Sequence, residues 1–184
     1  SSGIGNAVTL ATSGEDVNRP FTVQTAGSVY AGFLVTVSEA STDPAGGYFF
    51  HLGPDPVSTT FRGRVFIKKD ASNNLAFGIS KAATAVADIV YTPFTYALNT
   101  TYLVIVKYTI VDGATNDTVQ LFVSATVPAS EPAPTVTASD VTGTDVNPGT
   151  VSIRQGAVAT SPTARVDGIR IGTSWDSIVN NIPT

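Results

Sequence analysis

The chain has 184 residues, of which 42% are hydrophobic and only 13% are charged, and its formal net charge is −4. This length suits one ordinary domain with a real core, and the apolar content excludes disorder driven by charge repulsion. The acidic balance excludes a protein that tracks a nucleic-acid backbone, because phosphate neutralisation requires clustered Lys and Arg. No apolar run approaches the roughly 20 residues of a membrane helix. We therefore expect one domain over residues 1–184, with no nucleic-acid partner and no membrane span.

Alternating apolar residues predict strands through the first half of the chain. In residues 28–38, the odd-numbered positions from Val29 to Val37 share one face, which is typical of a central strand. Residues 48–52 form a short aromatic strand. Residues 61–68 place Phe61, Val65 and Ile67 on one face, and a polar turn then leads into an alternating strand at 75–80, so that a hairpin is expected.

The second half of the chain contains one further hairpin and a long connection. Residues 101–111 are the most apolar stretch, and a polar turn joins them to a strand at 118–123. Four prolines between 125 and 148 exclude central strand pairing there, so a long surface connection is predicted. Strands follow at 150–154 and 165–171, the latter with a bulge at Asp167 and Gly168. Residues 174–179 fit one helical turn with Trp175 packed down. Strands throughout predict an all-β fold, an antiparallel two-sheet sandwich.

Five segments, in chain order, carry a family resemblance: GIGNA (3–7), GYFFHLG (47–53), LAFGISK (75–81), NTTYLV (99–104) and VDGIRIGTSW (166–175). They resemble laminin-G-like, concanavalin-A-like jelly rolls of large secreted proteins of Bacteroidetes, which often lie near a sorting domain for type IX secretion. The resemblance covers nearly the whole chain. It implies a jelly-roll domain that acts outside a bacterial cell or at its surface.

The chain departs from this family at its start. The family's jelly roll usually begins a few tens of residues before the GIGNA segment, with an aromatic strand that closes a sheet. Without that strand, an edge or a core groove would lie open, and an open edge is a template for pairing with another chain. Strand donation or self-association through this edge is therefore one hypothesis.

Catalytic residues are scarce in the sequence. His51 is the only histidine, and it lies in an aromatic strand rather than beside a nucleophile turn. Glycosidases need a pair of carboxylates across the scissile bond, and the three glutamates, Glu15, Glu39 and Glu131, do not alternate along one strand. With no cysteine, thiol chemistry is excluded as well. We therefore expect a protein that is not an enzyme.

Two kinds of binding site remain as hypotheses. Calcium takes oxygen ligands, and the oxygen-rich candidates are Asp112, Asn116, Asp117 and Asp167, although turn chemistry alone also explains Asp and Asn in such loops. Carbohydrate binding requires exposed aromatic platforms with polar neighbours. The candidates for it are Tyr48, His51, Arg62, Arg64, Phe66 and Trp175. For each aromatic residue core packing is the simpler explanation, and for the arginines a solvated strand face or a protected edge is an alternative. Tyr96 is a weaker candidate.

Two functions follow from these features. The first is a non-catalytic extracellular domain for adhesion or for binding a polysaccharide or glycan, without a certain cofactor but with calcium as a candidate. The second is a structural subunit of an extracellular filament or surface layer that assembles through the open sheet edge. Low charge, abundant Thr and Val, and the missing first strand motivate the second, and binding or adhesion is slightly favoured over it.

Overall fold

Alternating β-branched and aromatic residues form two antiparallel sheets that pack face to face. This computed structural model describes residues 5–141 and 143–180, so Gly3 and Ile4 of the first family-like segment lie outside the described residues. The strands are β1 (Val8–Leu10), β2 (Val17–Pro20), β3 (Gly27–Glu39), β4 (Gly47–Gly53), β5 (Arg62–Lys69), β6 (Asn74–Ser80), β7 (Val90–Tyr91), β8 (Tyr96–Ala97), β9 (Thr101–Ile110), β10 (Thr118–Ser124), β11 (Val136–Thr137), β12 (Thr150–Ile153) and β13 (Thr163–Gly172). One helix, α1 (Trp175–Val179), and a 3-10 turn at Val86–Asp88 complete the described elements.

The first sheet has the strand order β1-β13-β3-β9-β10-β11, and the second has the order β2-β12-β4-β5-β6-β7, with β8 also paired to β6. The N-terminal strands lie at one edge of each sheet, with β1 on β13 and β2 on β12. This arrangement is the antiparallel two-sheet jelly-roll sandwich that the sequence predicts.

The core lies between the two sheets. The residues of β3 that alternate from Val29 to Val37 are almost completely buried, which confirms the predicted inward face of this central strand. Phe33 packs against two aromatic rings of β4, at centroid distances of 5.9 Å to Phe49 and 4.5 Å to Phe50. Large apolar groups buried in this way are the main favourable contribution to folding.

The predicted hairpins and bulge are present. Strands β5 and β6 join through a turn in which Asp70 accepts hydrogen bonds from the backbone amides of Ser72 and Asn74, both at 2.8 Å. Strands β9 and β10 pair over seven residues. Strand β13 shifts register against β3 between Asp167 and Arg170, with Gly168 at a φ of 61°. Val166 before the bulge is buried and Ile171 after it is half-buried, whereas Ile169 is 36% exposed.

A second, smaller core covers the outer face of the first sheet. The Ser174 side chain caps helix α1, which packs Trp175 and Ile178 onto Ile105 and Phe122. The Trp175 indole N–H also donates to the carbonyl oxygen of Pro128 at 3.2 Å. The Pro-rich connection is thereby attached to the sheet, and Trp175 is only 5% exposed.

No helix within the described residues reaches the length and apolar content that crossing a membrane requires.

Candidate functional site

The outer face of the second sheet carries a cluster of aromatic and cationic side chains, which we call the Tyr48 face. It consists of Tyr48, His51, Arg64 and Phe66 on β4 and β5, together with Phe61 and Arg154 from the adjoining segments. Tyr48 is partly exposed, whereas His51 and Phe66 are each only 2% exposed. A partly exposed ring therefore lies on a buried aromatic base.

Strand pairing explains why these side chains meet. Tyr48 of β4 lies opposite Phe66 of β5, and the two rings are 5.5 Å apart. Side chains directly opposite on antiparallel strands point to the same face. The sandwich core occupies the other face of both strands, so this pair points outward. Rigid strands, rather than flexible loops, thus support the center of the site.

Irregular pairing between β4 and β5 brings Phe61 onto this face. The two strands shift register twice, and Gly63 has a φ of 58°, which a residue with a side chain adopts only with strain. Phe61 consequently stacks on the His51 ring, with centroids 4.0 Å apart. The prediction that Phe61 shares the inward face of Val65 and Ile67 is wrong, because the simple alternation does not continue through Gly63.

Two arginines lie over the Tyr48 ring. The guanidinium carbon of Arg64 is 4.9 Å from the ring centroid, and that of Arg154 is 4.4 Å from it. Such contacts are attractive because the π-face of an aromatic ring is electronegative. Arg154 follows strand β12 along the chain, and its Nε lies 3.8 Å from Asp16. Its position depends on the pairing of β12 with β4, which sequence patterns do not reveal.

His51 is neutral in this environment. Burial, opposed only in part by a hydrogen bond with the carbonyl oxygen of Leu52, lowers the pKa of His51 to about 4. Its cross-strand neighbour Ser152 has a buried hydroxyl with no hydrogen-bond partner. The positive charge of the Tyr48 face therefore comes from the arginines and not from the histidine.

The same face continues toward the outer strands. Lys68 occupies the next outward position after Phe66 on β5, with its Nζ 3.7 Å from the Tyr91 ring centroid and 2.9 Å from the carbonyl oxygen of Pro44. The Tyr91 ring in turn covers Gly78, where a Cβ atom would lie only 2.6 Å from it. Aromatic and cationic groups thus extend across β4, β5, β6 and β7.

Two of the residues predicted to bind carbohydrate lie outside this cluster. Arg62 is buried, and its Nε donates to the carbonyl oxygen of Thr144 at 2.7 Å, so it fixes the Pro-rich connection. Trp175 lies on the outer face of the opposite sheet, in the second core. The expectation of an exposed platform therefore fails for Trp175 and also for buried Phe66. Tyr96 packs edge-on against Phe77 and Tyr102 at 5.1 Å from each.

The predicted calcium ligand Asp117 belongs to a buried polar network. Its two carboxylate oxygens accept hydrogen bonds from the Tyr108 hydroxyl at 2.6 Å and from the Val111 amide at 2.7 Å. The neighbouring Asp145 forms an ion pair with Lys81 and accepts from the amide of Asn116 at 2.8 Å. Burial by itself would raise the pKa of Asp145, but these bonds outweigh it and lower that pKa. The Lys81 ammonium thus supplies positive charge at this turn.

The other predicted calcium ligands are not gathered into one site. The Asn116 side chain donates to the backbone carbonyl of Asp112, whose own carboxylate is exposed. Asp167 of β13 pairs with Leu34 of β3, which in turn lies opposite Leu103 of β9. Leu103 is seven residues, or roughly 20 Å, from the end of β9 that leads to Asp112. Within residues 5–141 and 143–180, no group of three or more His, Cys, Asp or Glu is arranged to hold a metal ion.

An apolar groove opens where the edges of the two sheets meet. It has a volume of about 310 Å³ and is lined by residues of β2, β12 and β13, among them Val17, Val151, Ile153, Ile169 and Ile171. Val17 is 51% exposed, and all four residues of β2 are exposed. Sequence reasoning anticipates an open groove at such an edge, but not its position beside β2.

Comparison with known proteins shows similarity at the level of the fold. No protein-family model matches the chain, and no curated protein matches it. A heptameric SAP-like pentraxin from Limulus polyphemus superposes with a TM-score of 0.58 at 13% identity, over 90% of this chain and 75% of the pentraxin. The fold is that of lectin-like jelly rolls.

Two further solved structures show the breadth of proteins with related sandwiches. Botulinum neurotoxin type C superposes with a TM-score of 0.52 at 14% identity, over 90% of this chain and 39% of the toxin. The alginate lyase AlyA1 from Zobellia galactanivorans superposes with a TM-score of 0.49 at 16% identity, over 82% of this chain and 63% of the lyase. At these identities the likeness concerns the fold alone.

Proposed function

We propose that this chain is a non-catalytic carbohydrate-binding domain whose ligand lies on the Tyr48 face. The observation that carries the proposal is the partly exposed Tyr48 ring with two guanidinium groups over it. A sugar ring has an apolar face that packs on an aromatic ring and a rim of hydroxyl groups that bonds polar neighbours. The Tyr48 face offers both kinds of contact on a rigid sheet.

The fold supports this proposal. Botulinum neurotoxin type C, which shares the sandwich, depends on interaction with two ganglioside molecules to enter cells. The Tyr48 face has no pair of carboxylates among its six residues, and the common retaining and inverting routes of glycoside hydrolysis need such a pair. Binding without cleavage is therefore the activity that its residues support.

Glycan-array binding tests the proposal directly. Wild type should retain a defined set of glycans, Tyr48→Ala should lose them, and Tyr48→Phe should keep most of the binding because the ring remains. Stacking on an aromatic ring contributes about 1 kcal/mol or more, so the loss for Tyr48→Ala should be at least about fivefold. Thermal melting of both variants controls for folding. Equal retention by wild type and a folded Tyr48→Ala variant would refute the proposal.

The apolar groove beside β2 favours a second candidate function, self-assembly with another copy of this chain. Strand β2 is the outermost strand of its sheet, so one side of its backbone is not paired within the sheet. An added strand could bond to this edge while its apolar side chains enter the groove. We propose this assembly, outside a bacterial cell, as the alternative to glycan binding.

Solution mass distinguishes the two candidates. Light scattering should give 19.0 kDa at every concentration if glycan binding by a monomer is the function. A concentration-dependent larger species that Val17→Asp returns to the monomer would instead support assembly through β2. Val158→Asp provides a matched control, because Val158 is 71% exposed and lies outside the groove.

A further inference from the structure

The charged side chains on and beside the Tyr48 face are mostly cationic. Arg64 and Arg154 lie over the same ring, and Lys68 continues the cationic row four residues further along β5, about 13 Å away. Asp16, at 3.8 Å from Arg154, is the one carboxylate at ion-pair distance from these three cations among the described residues. The whole chain is acidic, so this concentration of positive charge is local.

Arg64 lacks a counter-charge. No hydrogen bond or ion pair joins its guanidinium group to another described residue, and its Nε is enclosed without an acceptor. Its contacts are with the rings of Tyr48 and Phe61, at 4.9 and 5.6 Å from their centroids. A partly buried cation without an anionic partner has lost part of its hydration without gaining an ion pair. The remaining nitrogens of the guanidinium group form a fork that suits the paired oxygens of a carboxylate or a sulfate.

The hydrogen-bonding character of this face also selects among ligands. Hydroxyl groups of a neutral sugar both donate and accept, so they are best bound by a mixture of acceptors and donors. Arg64, Arg154 and Lys68 are donors only. Asp16, the carboxylate at ion-pair distance from Arg154, already accepts from the backbone amide of Gln155 at 2.8 Å. A ligand rich in anionic oxygens satisfies this set of donors better than a neutral one.

We infer that the Tyr48 face binds an acidic polysaccharide, with a sugar packed against the part of the Tyr48 ring that the two guanidinium groups leave exposed and a carboxylate or sulfate of that chain bonded to Arg64 and Arg154. This inference rests on the proposed carbohydrate binding and names the class of glycan. The distance from Arg64 to Lys68 indicates that more than one charged sugar of an extended chain is contacted. A neutral oligosaccharide leaves Arg64 without an anionic partner.

Matched pairs of polymers test the inference at about 0.15 M salt, where unspecific long-range attraction is screened. Polygalacturonate is compared with its methyl ester, which has the same backbone without the charge, and dextran sulfate is compared with dextran. Affinity electrophoresis measures retention of wild type, Arg64→Gln, Arg154→Gln and the control Arg19→Gln. Arg19 is exposed on β2, away from Tyr48.

The expected result is retention by a charged polymer and none by its neutral counterpart. Each of Arg64→Gln and Arg154→Gln should weaken binding at least about tenfold, because a bond to a charged group contributes about 1.5 to 3 kcal/mol, while Arg19→Gln should bind as wild type does. Which charged polymer is retained identifies the anionic group. The Arg154 side chain is 29% exposed, so its variant remains informative if Arg64→Gln unfolds.

Three results would overturn the inference, and they differ in whether the proposed carbohydrate binding is refuted with it. Retention by methyl ester or dextran that depends on Tyr48 would refute an acidic ligand but leave carbohydrate binding intact. Retention of a single-stranded oligonucleotide as strong as that of any polysaccharide would replace the glycan by a nucleic acid. Failure to bind any charged or neutral glycan, by a folded and monomeric protein, would refute the proposed function as well.

Discussion

At the scale of single residues, burial controls which charges this protein can carry. His51 occupies a position in an aromatic strand, and sequence alone leaves open whether it is a ligand or a packed side chain. The structure shows a ring that is 2% exposed and stacked on Phe61. A buried imidazole resists protonation because the charged form loses its hydration.

This environment predicts a dependence of stability on pH. The folded-state pKa of His51 is about 4, below the ordinary value of 6.5, so the unfolded chain takes up a proton first as the pH falls. The stabilisation is complete above about pH 6.5 and is lost progressively toward about pH 4, with a loss of about 2 kcal/mol by pH 5. Urea unfolding at both ends of this range measures it. His51→Gln should remove most of the difference, and an unchanged slope would contradict the assignment.

Lys81 is the second residue whose burial has a measurable consequence. Its side chain is 1% exposed and forms an ion pair with Asp145. Lys81→Met should lower the free energy of unfolding by about 3 to 5 kcal/mol, because it leaves a carboxylate without its buried partner. Lys107→Met is the matched control. It breaks the more exposed pair with Glu131, which should cost about 1 kcal/mol or less. Equal losses of unfolding free energy for the two variants in urea titrations would show that burial of the Lys81–Asp145 pair does not matter for stability.

At the scale of secondary-structure elements, helix α1 determines the role of the only tryptophan. The sequence predicts the helical turn and allows Trp175 either to pack or to bind a sugar. The indole ring lies 5.1 Å from the Phe122 ring and on the sheet opposite the Tyr48 face. Packing is therefore its role in the fold, and the Pro-rich connection is held through the same side chain.

We expect Trp175→Ala to destabilise the protein without changing its ligand. Removing a buried tryptophan side chain costs about 3 to 5 kcal/mol. Differential scanning calorimetry should show a lower melting temperature, while retention of polysaccharide at low temperature should match wild type. Tyr48→Ala should show the opposite pattern, with weaker retention and a smaller change in melting temperature. Loss of binding in a folded Trp175→Ala variant would place the ligand on the other sheet.

At the scale of the whole molecule, the long connection after β10 is fixed to the sandwich by polar contacts. Asp140 accepts hydrogen bonds from the backbone amides of Lys81, Ala82 and Ala83 at 2.5, 2.7 and 2.8 Å. Arg62 and Lys81 bind further along the same connection, at Thr144 and Asp145. These contacts close one end of the sandwich with side-chain charges.

This closure predicts that the melting temperature does not depend on calcium. Lys81 already neutralises Asp145, and both oxygens of Asp117 have protein donors, so removal of calcium by a chelator should leave the melting temperature unchanged. Melting curves with millimolar calcium and with excess chelator provide the measurement. A shift of several degrees, abolished by Asp112→Ala, would favour the calcium site that the sequence suggests.

The sequence by itself determines the sandwich, because the period of two along β3, β6 and β9 reports which side chains are buried. It also names Tyr48, His51 and Arg64 as candidate site residues on two consecutive strands. Strict alternation would place Tyr48 and His51 on opposite faces of β4, and the irregular pairing of β4 with β5 brings them to one face. Only the tertiary structure shows that Phe61 and Arg154 belong to the Tyr48 face and that the candidates Arg62 and Trp175 do not. The physical reason is that a bulge at Gly63 and the pairing of β12 with β4 depend on contacts between residues far apart in the chain, which local alternation does not encode.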